Sequence, residues 1–168
     1  MIALLKALHI AALAIWCAGL ILLPIVLRVY GARREMATQA GFAEFRWLTH
    51  YSYTRVLSPA AVVAVVAGTA LIFALEVFDA WLMAKLAVVT GMVLVHVWLG
   101  HLIVQAGERR APFRLSTAAA ALVAVVPLIG LVLWLVLAKP DLQPLLALLP
   151  EVLTEPRGNA IPARLNPL

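Results

Sequence analysis

Six side chains that could do chemistry lie within long apolar runs of this chain. They are Lys6, His9, Trp16, Lys85, Met92 and His96. A charged side chain at the centre of a membrane helix is unfavourable by roughly 2.5–3.5 kcal/mol on insertion scales, so each ionisable residue kept there is a candidate functional residue. Imidazole nitrogens, and amine nitrogens that have lost their proton, can bind metals. The chemistry that these residue types favour is ligation of a metal ion or a haem iron.

The spacing of these residues places them on two helix faces. Seven residues separate His9 from Trp16, which is about two helical turns, and eleven separate Lys85 from His96, which is about three turns. The helices that carry His9 and Lys85 run in the same direction in an alternating bundle, so both residues are predicted in the same outer half. The sequence therefore predicts a cavity lined by His9, Trp16, Lys85, Met92 and His96.

Three interpretations of this cavity remain open from the residues alone. A histidine that faces a second nitrogen donor across an apolar helical bundle is an arrangement that can ligate haem axially. Alternatively, the histidines are packing devices bonded to backbone or water, and Lys6 and Lys85 extend to the membrane surface. Copper is a third interpretation, but it prefers thiols together with histidine, and Cys17 is the single cysteine of the chain.

The elements that must position these residues are membrane helices. Of the 168 residues, 65% are apolar and 12% are charged, and the mean hydropathy is +1.04, which excludes an ordinary soluble domain. The 13 basic residues exceed the 8 acidic ones, but they cluster between apolar runs, as in the loops of membrane proteins. Nucleic acid is therefore not an expected partner, and the lipid bilayer is.

Four apolar runs are long enough to span a bilayer, for which about 20 helical residues are needed. They cover residues 2–27, 56–75, 81–104 and 115–138. The runs are continuously apolar, which excludes a β-barrel, whose strands alternate. We predict an all-α integral membrane protein, with a four-helix transmembrane bundle over residues 1–138.

Two segments outside the spans have a distinctive composition. The first loop, residues 28–55, interleaves aromatic side chains with Arg46 and His50, which predicts an interfacial helix at the level of the lipid headgroups. Residues 139–168 hold six of the ten prolines and are predicted to be an extramembrane tail, with a short interfacial helix over 141–154.

The distribution of basic residues predicts the orientation. Eight lie in the first and third loops: Arg28, Arg33, Arg34, Arg46, Arg55, Arg109, Arg110 and Arg114. Five lie on the opposite side: Lys6, Lys85, Lys139, Arg157 and Arg164. Because loops rich in Lys and Arg stay in the cytoplasm, both termini are predicted outside, in the periplasm of a bacterial inner membrane.

Several short motifs resemble those of one known family. They are Lys6-Ala-Leu-His9, Trp16-x-Ala18-Gly19, Leu23-Pro24, Ser58-Pro59, Trp81-x-x-x-Lys85 and His96-Val-Trp98-Leu99. Over about residues 4–137 the chain resembles the bacterial membrane protoporphyrinogen IX oxidase (HemJ) family, which is grouped near the copper-resistance D-like membrane proteins. The family usually has a histidine soon after Leu-Pro, where this chain reads Val29-Tyr30-Gly31.

The resemblance implies a function as well as a fold. It implies haem b held by His9 and Lys85, which fall on the family's essential histidine and lysine and are the predicted catalytic residues, with His96 on a further characteristic histidine. Trp16 and Met92 are predicted to pack against the haem, and Lys6 to pair with a propionate. The implied activity is oxidation of protoporphyrinogen IX without direct use of oxygen, with electrons passing to quinone or the respiratory chain.

Other functions and assemblies remain open at this stage. The alternative to an enzyme is a haem-containing accessory subunit of a respiratory oxidase complex, bound through its Pro-rich tail. A copper-handling membrane protein is the third hypothesis. A homo-oligomer is also compatible with the sequence.

The predicted orientation can be tested by thiol labelling in a Cys17→Ser background. An Arg33→Cys variant should react with a membrane-impermeant reagent only after the inner membrane is permeabilised, because its loop is predicted to be cytoplasmic. An Asn159→Cys variant should react in intact cells. The opposite labelling pattern would invert the orientation.

Overall fold

The computed structural model describes residues 1–76, 80–108 and 115–142, and predictions made for residues 143–168 lie outside the described residues. The described chain contains helices and no strand. The α-helices are α1 (Ile2–Gly31), α2 (Gln39–Tyr51), α3 (Ser58–Leu75), α4 (Ala80–Glu108) and α5 (Leu115–Ala138). A 3-10 segment, Arg34–Ala37, precedes α2, and a π-helical segment, Ser52–Leu57, joins α2 to α3.

Four helices are long and apolar enough to cross a membrane: α1, the continuous helix Gln39–Leu75, α4 and most of α5. The predicted all-α four-helix membrane bundle is therefore confirmed. The predicted ends differ at the charged residues. Helix α1 continues past Arg28 to Gly31, and α4 continues to Glu108. A charged residue marks the end of the apolar run, but the helix itself can continue into the region outside the hydrocarbon.

The first loop forms the expected helix, but that helix runs on without a break into the second span. Thr38 caps its start, since the side-chain oxygen accepts from the backbone nitrogen of Gly41 at 3.1 Å. The continuous helix Gln39–Leu75 has 37 residues and is thus about 55 Å long, against a hydrocarbon core of about 30 Å. Much of α2 must therefore extend beyond the hydrocarbon.

The bundle is organised around α1. This helix packs most extensively against α3 and also contacts α5, which in turn packs against α4. The buried face of α3 consists of small residues, Ala60, Ala61, Ala64 and Ala67, which allow the two backbones to approach closely. Helices α3 and α4 follow one another in sequence, but over the described residues their backbones hardly approach each other. A space is left between them.

Two glycines show how unevenly the helices are packed. A Cβ atom at Gly19 in α1 would overlap the side chain of Leu57, whereas a Cβ at Gly130 in α5 would meet no atom within 4 Å. Leu57 is itself buried, at 2% exposure. A larger residue at position 19 would therefore force the buried Leu57 side chain to shift, whereas one at position 130 would displace nothing.

A matched pair of variants tests this difference. Gly19→Ala should destabilise the fold by about 1–3 kcal/mol, because overpacking a tight contact is unfavourable. Gly130→Ala should be neutral or stabilise by about 0.5–1 kcal/mol, because alanine favours a helix over glycine. Thermal unfolding in one detergent measures both. Equal transition temperatures for Gly19→Ala and the unmodified protein would contradict the tight contact.

Candidate functional site

A cavity of about 820 Å³ lies between α1, α3, α4 and α5, in the half of the bundle that holds the start of α1 and the end of α5. This volume is in the range of about 300–1,000 Å³ that small-molecule and cofactor sites occupy. Most of the lining is apolar. The residues with polar side-chain groups are Lys6, His9, Trp16, Thr69, Trp81, Lys85, Lys139 and Asp141. Residues of both α3 and α4 line the cavity, and the backbones of these two helices hardly approach each other.

The structure brings together four of the six candidate residues. Lys6, His9, Trp16 and Lys85 all line the cavity, so His9 and Lys85 share one half of the bundle. Met92 and His96 are not part of its lining.

The other two candidates belong to the packed interior. Met92 is buried in the hydrophobic core, at 1% exposure. His96 is half-buried and contacts Trp16. Periodicity along α4 placed both on the face of Lys85, but the cavity ends at Val89, and below that level the helices close on each other.

A hydrogen bond to the backbone of α3 orients His9. Its Nδ1 atom lies 2.7 Å from the carbonyl oxygen of Ala64. A carbonyl only accepts hydrogen bonds, so Nδ1 carries the proton in the neutral ring and Nε2 keeps its lone pair. Histidines that bind metals are commonly oriented in this way by a carbonyl or carboxylate behind the ring. His9 therefore has the tautomer of a ligand that binds through Nε2.

Gly68 makes room for the His9 ring. A Cβ atom at Gly68 would lie 2.8 Å from Cε1 of His9, so any larger residue would push the ring away. Gly68 is also four residues after Ala64, one turn along the same helix, so the histidine and α3 meet over two consecutive turns. The pair Ala64 and Gly68 thus forms a backbone cradle for the imidazole.

Lys85 is positioned by an aromatic ring. Its Nζ atom lies 5.3 Å from the ring centroid of Trp81, within the range of a cation–π interaction. Trp81 is itself held to α5, because its indole N–H donates to the carbonyl oxygen of Leu135. The lysine amine is thereby kept beside the cavity instead of being free to sample the membrane surface.

The charged groups of the cavity lining have an excess of positive charge. Three lysines, Lys6, Lys85 and Lys139, line it together with one carboxylate, Asp141. Lys139 directly follows α5 and has a backbone φ of 42°, so the chain turns sharply there. An apolar cavity with excess positive charge suits a ligand that has an apolar body and anionic groups.

Several residues of this site were not predicted from the sequence. Trp81 was recognised only as part of a motif, although its four-residue spacing from Lys85 puts both on one helix face. Gly68 and the carbonyl of Ala64 have no side-chain signal of their own. Residues 139–142 were assigned to the tail, whereas all four line the cavity.

The remaining histidines, His50 and His101, are not part of the cavity lining. His101 is exposed, and its Nε2 atom lies 2.8 Å from the side-chain nitrogen of Gln105, one turn later. Over the described ranges, no three residues among His, Cys, Asp and Glu come together as a metal site. Two nitrogen ligands, from His9 and Lys85, cannot complete the coordination of a metal ion. The remaining ligands would have to come from a group such as a porphyrin.

Comparisons with family models, with curated proteins and with solved structures gave no match. The resemblance described above therefore rests on the residues themselves and stays a prediction.

The tautomer of His9 can be measured directly. In protein labelled with 15N-histidine, the Nδ1 signal of His9 should be that of a protonated nitrogen and the Nε2 signal that of a bare one, because Ala64 accepts from Nδ1. A His9→Gln variant assigns the signals. Gly68→Ala should weaken or abolish the bond and mix the tautomers. A protonated Nε2 in the unmodified protein would contradict the arrangement.

Proposed function

We propose that this chain is a haem b-binding membrane redox protein in which His9 and Lys85 hold the iron. The observation that carries the proposal is the shared cavity, which is lined by Lys85 and by a histidine whose Nδ1 is bonded to a backbone carbonyl. The alternative, in which the histidines only satisfy packing, explains His96 better than His9, because both nitrogens of His96 have side-chain partners, whereas His9 is bonded through Nδ1 and lines the cavity.

The residues present fit a haem in three respects. The donor set is one imidazole and one amine, the lining is mostly apolar, and Lys6 and Lys139 can pair with carboxylate groups. When bound, the haem would supply one-electron redox chemistry. The backbone carbonyl of Ala64 would hold the imidazole of His9 and make it a stronger donor.

Lys85 has to lose its proton before it can donate a lone pair. A bound metal centre would favour the neutral amine, because its positive charge disfavours a second positive charge beside it. The cation–π contact with Trp81 weakens once the lysine loses its charge. Trp81 therefore stabilises the protonated lysine more than a neutral lysine bound to iron. Lysine ligation is therefore expected to strengthen with rising pH.

The activity that we propose is that of a protoporphyrinogen IX oxidase-like enzyme, which passes electrons to quinone or the respiratory chain of a bacterial inner membrane. The limited approach of the α3 and α4 backbones supports access from the bilayer, since a substrate with an apolar body and anionic groups could reach the edge of the cavity between these helices. Lateral entry removes a difficulty of the predicted orientation, which places the cavity toward the periplasm although porphyrinogens are made in the cytoplasm.

An absorption spectrum of the purified protein, oxidised and reduced, tests the cofactor. We expect a low-spin b-type spectrum. His9→Ala and Lys85→Ala should each abolish or strongly shift it, since each removes one ligand. His101→Ala is the matched control and should leave it unchanged, because His101 is exposed and outside the cavity. A protein purified with copper and no haem would replace this proposal by the copper hypothesis.

Complementation separates an enzyme from an accessory subunit. A strain that lacks protoporphyrinogen oxidase should regain haem synthesis with the full-length chain and with a truncation after Leu142, which keeps every described residue of the cavity lining. Failure of both forms, together with co-purification of only the full-length chain with a respiratory oxidase, would favour the accessory subunit. Sedimentation of the purified protein would show whether it forms a homo-oligomer.

A further inference from the structure

His96 lies at the centre of a polar network beneath the cavity, formed by side chains from α1, the π-helical segment, α3 and α4. Its members are Trp16, Tyr53, Ser58 and His96, and they are called here the His96 network. Trp16 is the one member that also lines the cavity. The network thus connects the wall of the cavity to the opposite half of the bundle.

The tautomer of His96 follows from its partners. The indole Nε1–H of Trp16 can only donate, and it points to Nδ1 of His96 at 3.3 Å. Nδ1 must therefore be the bare nitrogen, and in the neutral ring the proton is on Nε2. That nitrogen lies 3.3 Å from the hydroxyl oxygen of Ser58, to which it donates. This tautomer is the reverse of that of His9.

Tyr53 occupies a face of the same imidazole. The two rings are stacked, with centroids 4.8 Å apart and planes 21° from parallel. The tyrosine hydroxyl donates to the backbone carbonyl of His96 at 3.2 Å. Gly100 permits this approach, because a Cβ atom there would overlap the tyrosine hydroxyl. Both nitrogens and one face of His96 are thus engaged.

The π-helical segment is what brings Tyr53 and Ser58 to one side of their helix. Five residues separate them, and in an α-helix that spacing would put their side chains about 140° apart. In the π-helical segment the backbone N–H of Ser58 instead bonds to the carbonyl of Tyr53, five residues earlier. The wider turn reduces the angle between the two side chains, so both can reach His96.

We propose that His96 is a positioning residue for Trp16 and not a metal ligand. Trp16 has a single polar group, and its bond to His96 fixes the rotation of an indole that is 1% exposed and closes the inner end of the cavity. Without an acceptor at Nδ1, the indole N–H would be buried without a partner and the ring would turn to find one. The shape of the cavity therefore depends on a histidine that does not line it.

Two variants separate the nitrogens of His96. His96→Asn can keep an acceptor close to the place of Nδ1, and His96→Gln can keep a polar group close to the place of Nε2 without that acceptor. The readout is the 15N-indole signal of Trp16, assigned with Trp16→Phe. The signal should stay hydrogen-bonded in His96→Asn and shift to that of a free N–H in His96→Gln. This readout needs no cofactor, so it stands apart from the haem proposal.

The tautomer in the unmodified protein gives a second test that needs no variant of His96. The Nε2 signal should be protonated and the Nδ1 signal bare. A protonated Nδ1, or a Trp16 signal that does not respond to His96→Gln, would overturn the proposal.

Ligand retention distinguishes positioning from ligation. This test of the positioning role is the only one that rests on the proposed haem. The His96→Gln variant should keep the low-spin spectrum, because His96 is not a ligand. It should lose haem about tenfold faster, which corresponds to the loss of one hydrogen bond. His96→Asn should lose haem at the rate of the unmodified protein. Loss of the low-spin spectrum in both variants, with the Trp16 signal unchanged in His96→Asn, would make His96 a ligand and overturn the proposal.

Discussion

The close approach of α1 and α3 is the constraint on which the rest of the site depends. The alanines of α3 leave so little side chain at the interface that the histidine ring of α1 can reach a backbone carbonyl of its neighbour, the oxygen of Ala64. A bulkier interface would hold the two helices further apart, and the ring would have no fixed partner. Helix packing in a membrane is usually discussed as a source of stability. In this protein it also fixes a tautomer, because the nitrogen that bonds to the carbonyl decides which nitrogen is left with a lone pair.

Two histidines in one bundle are held in opposite tautomers by different kinds of partner. The backbone carbonyl behind His9 accepts, so the bare nitrogen is Nε2, whereas the indole that meets His96 donates, so the bare nitrogen is Nδ1 and is already bonded. Burial and residue type are similar for both rings. Their ability to bind a ligand differs, because His9 lines a cavity whereas His96 is enclosed by Tyr53, Ser58 and Trp16.

The sequence was sufficient for the class of fold and for placing His9 and Lys85 in the same half of the bundle. Long apolar runs determine the number of spans, and in an alternating bundle equal distance from the helix starts determines depth. The sequence was insufficient to place Met92 and His96 outside the cavity. Helix α4 is apolar on all sides, so no amphipathic stripe shows how the helix is rotated against its neighbours. The π-helical segment was missed for a related reason: one additional residue per turn changes which side chains meet, yet leaves composition unaltered. Backbone partners such as Ala64 and Gly68 have no signature in side-chain patterns.

The sparse contact between α3 and α4 has a consequence for the membrane itself. Where the backbones of two consecutive helices hardly approach each other, a cavity between them that opens to the hydrocarbon would have its wall completed by acyl chains. Lipid is then a competitor for the same volume that a ligand would fill, and a ligand must displace it in order to bind. The apparent affinity of the cavity becomes a property of the protein and the bilayer together, so it would vary with the length and unsaturation of the surrounding chains even when every residue stays the same.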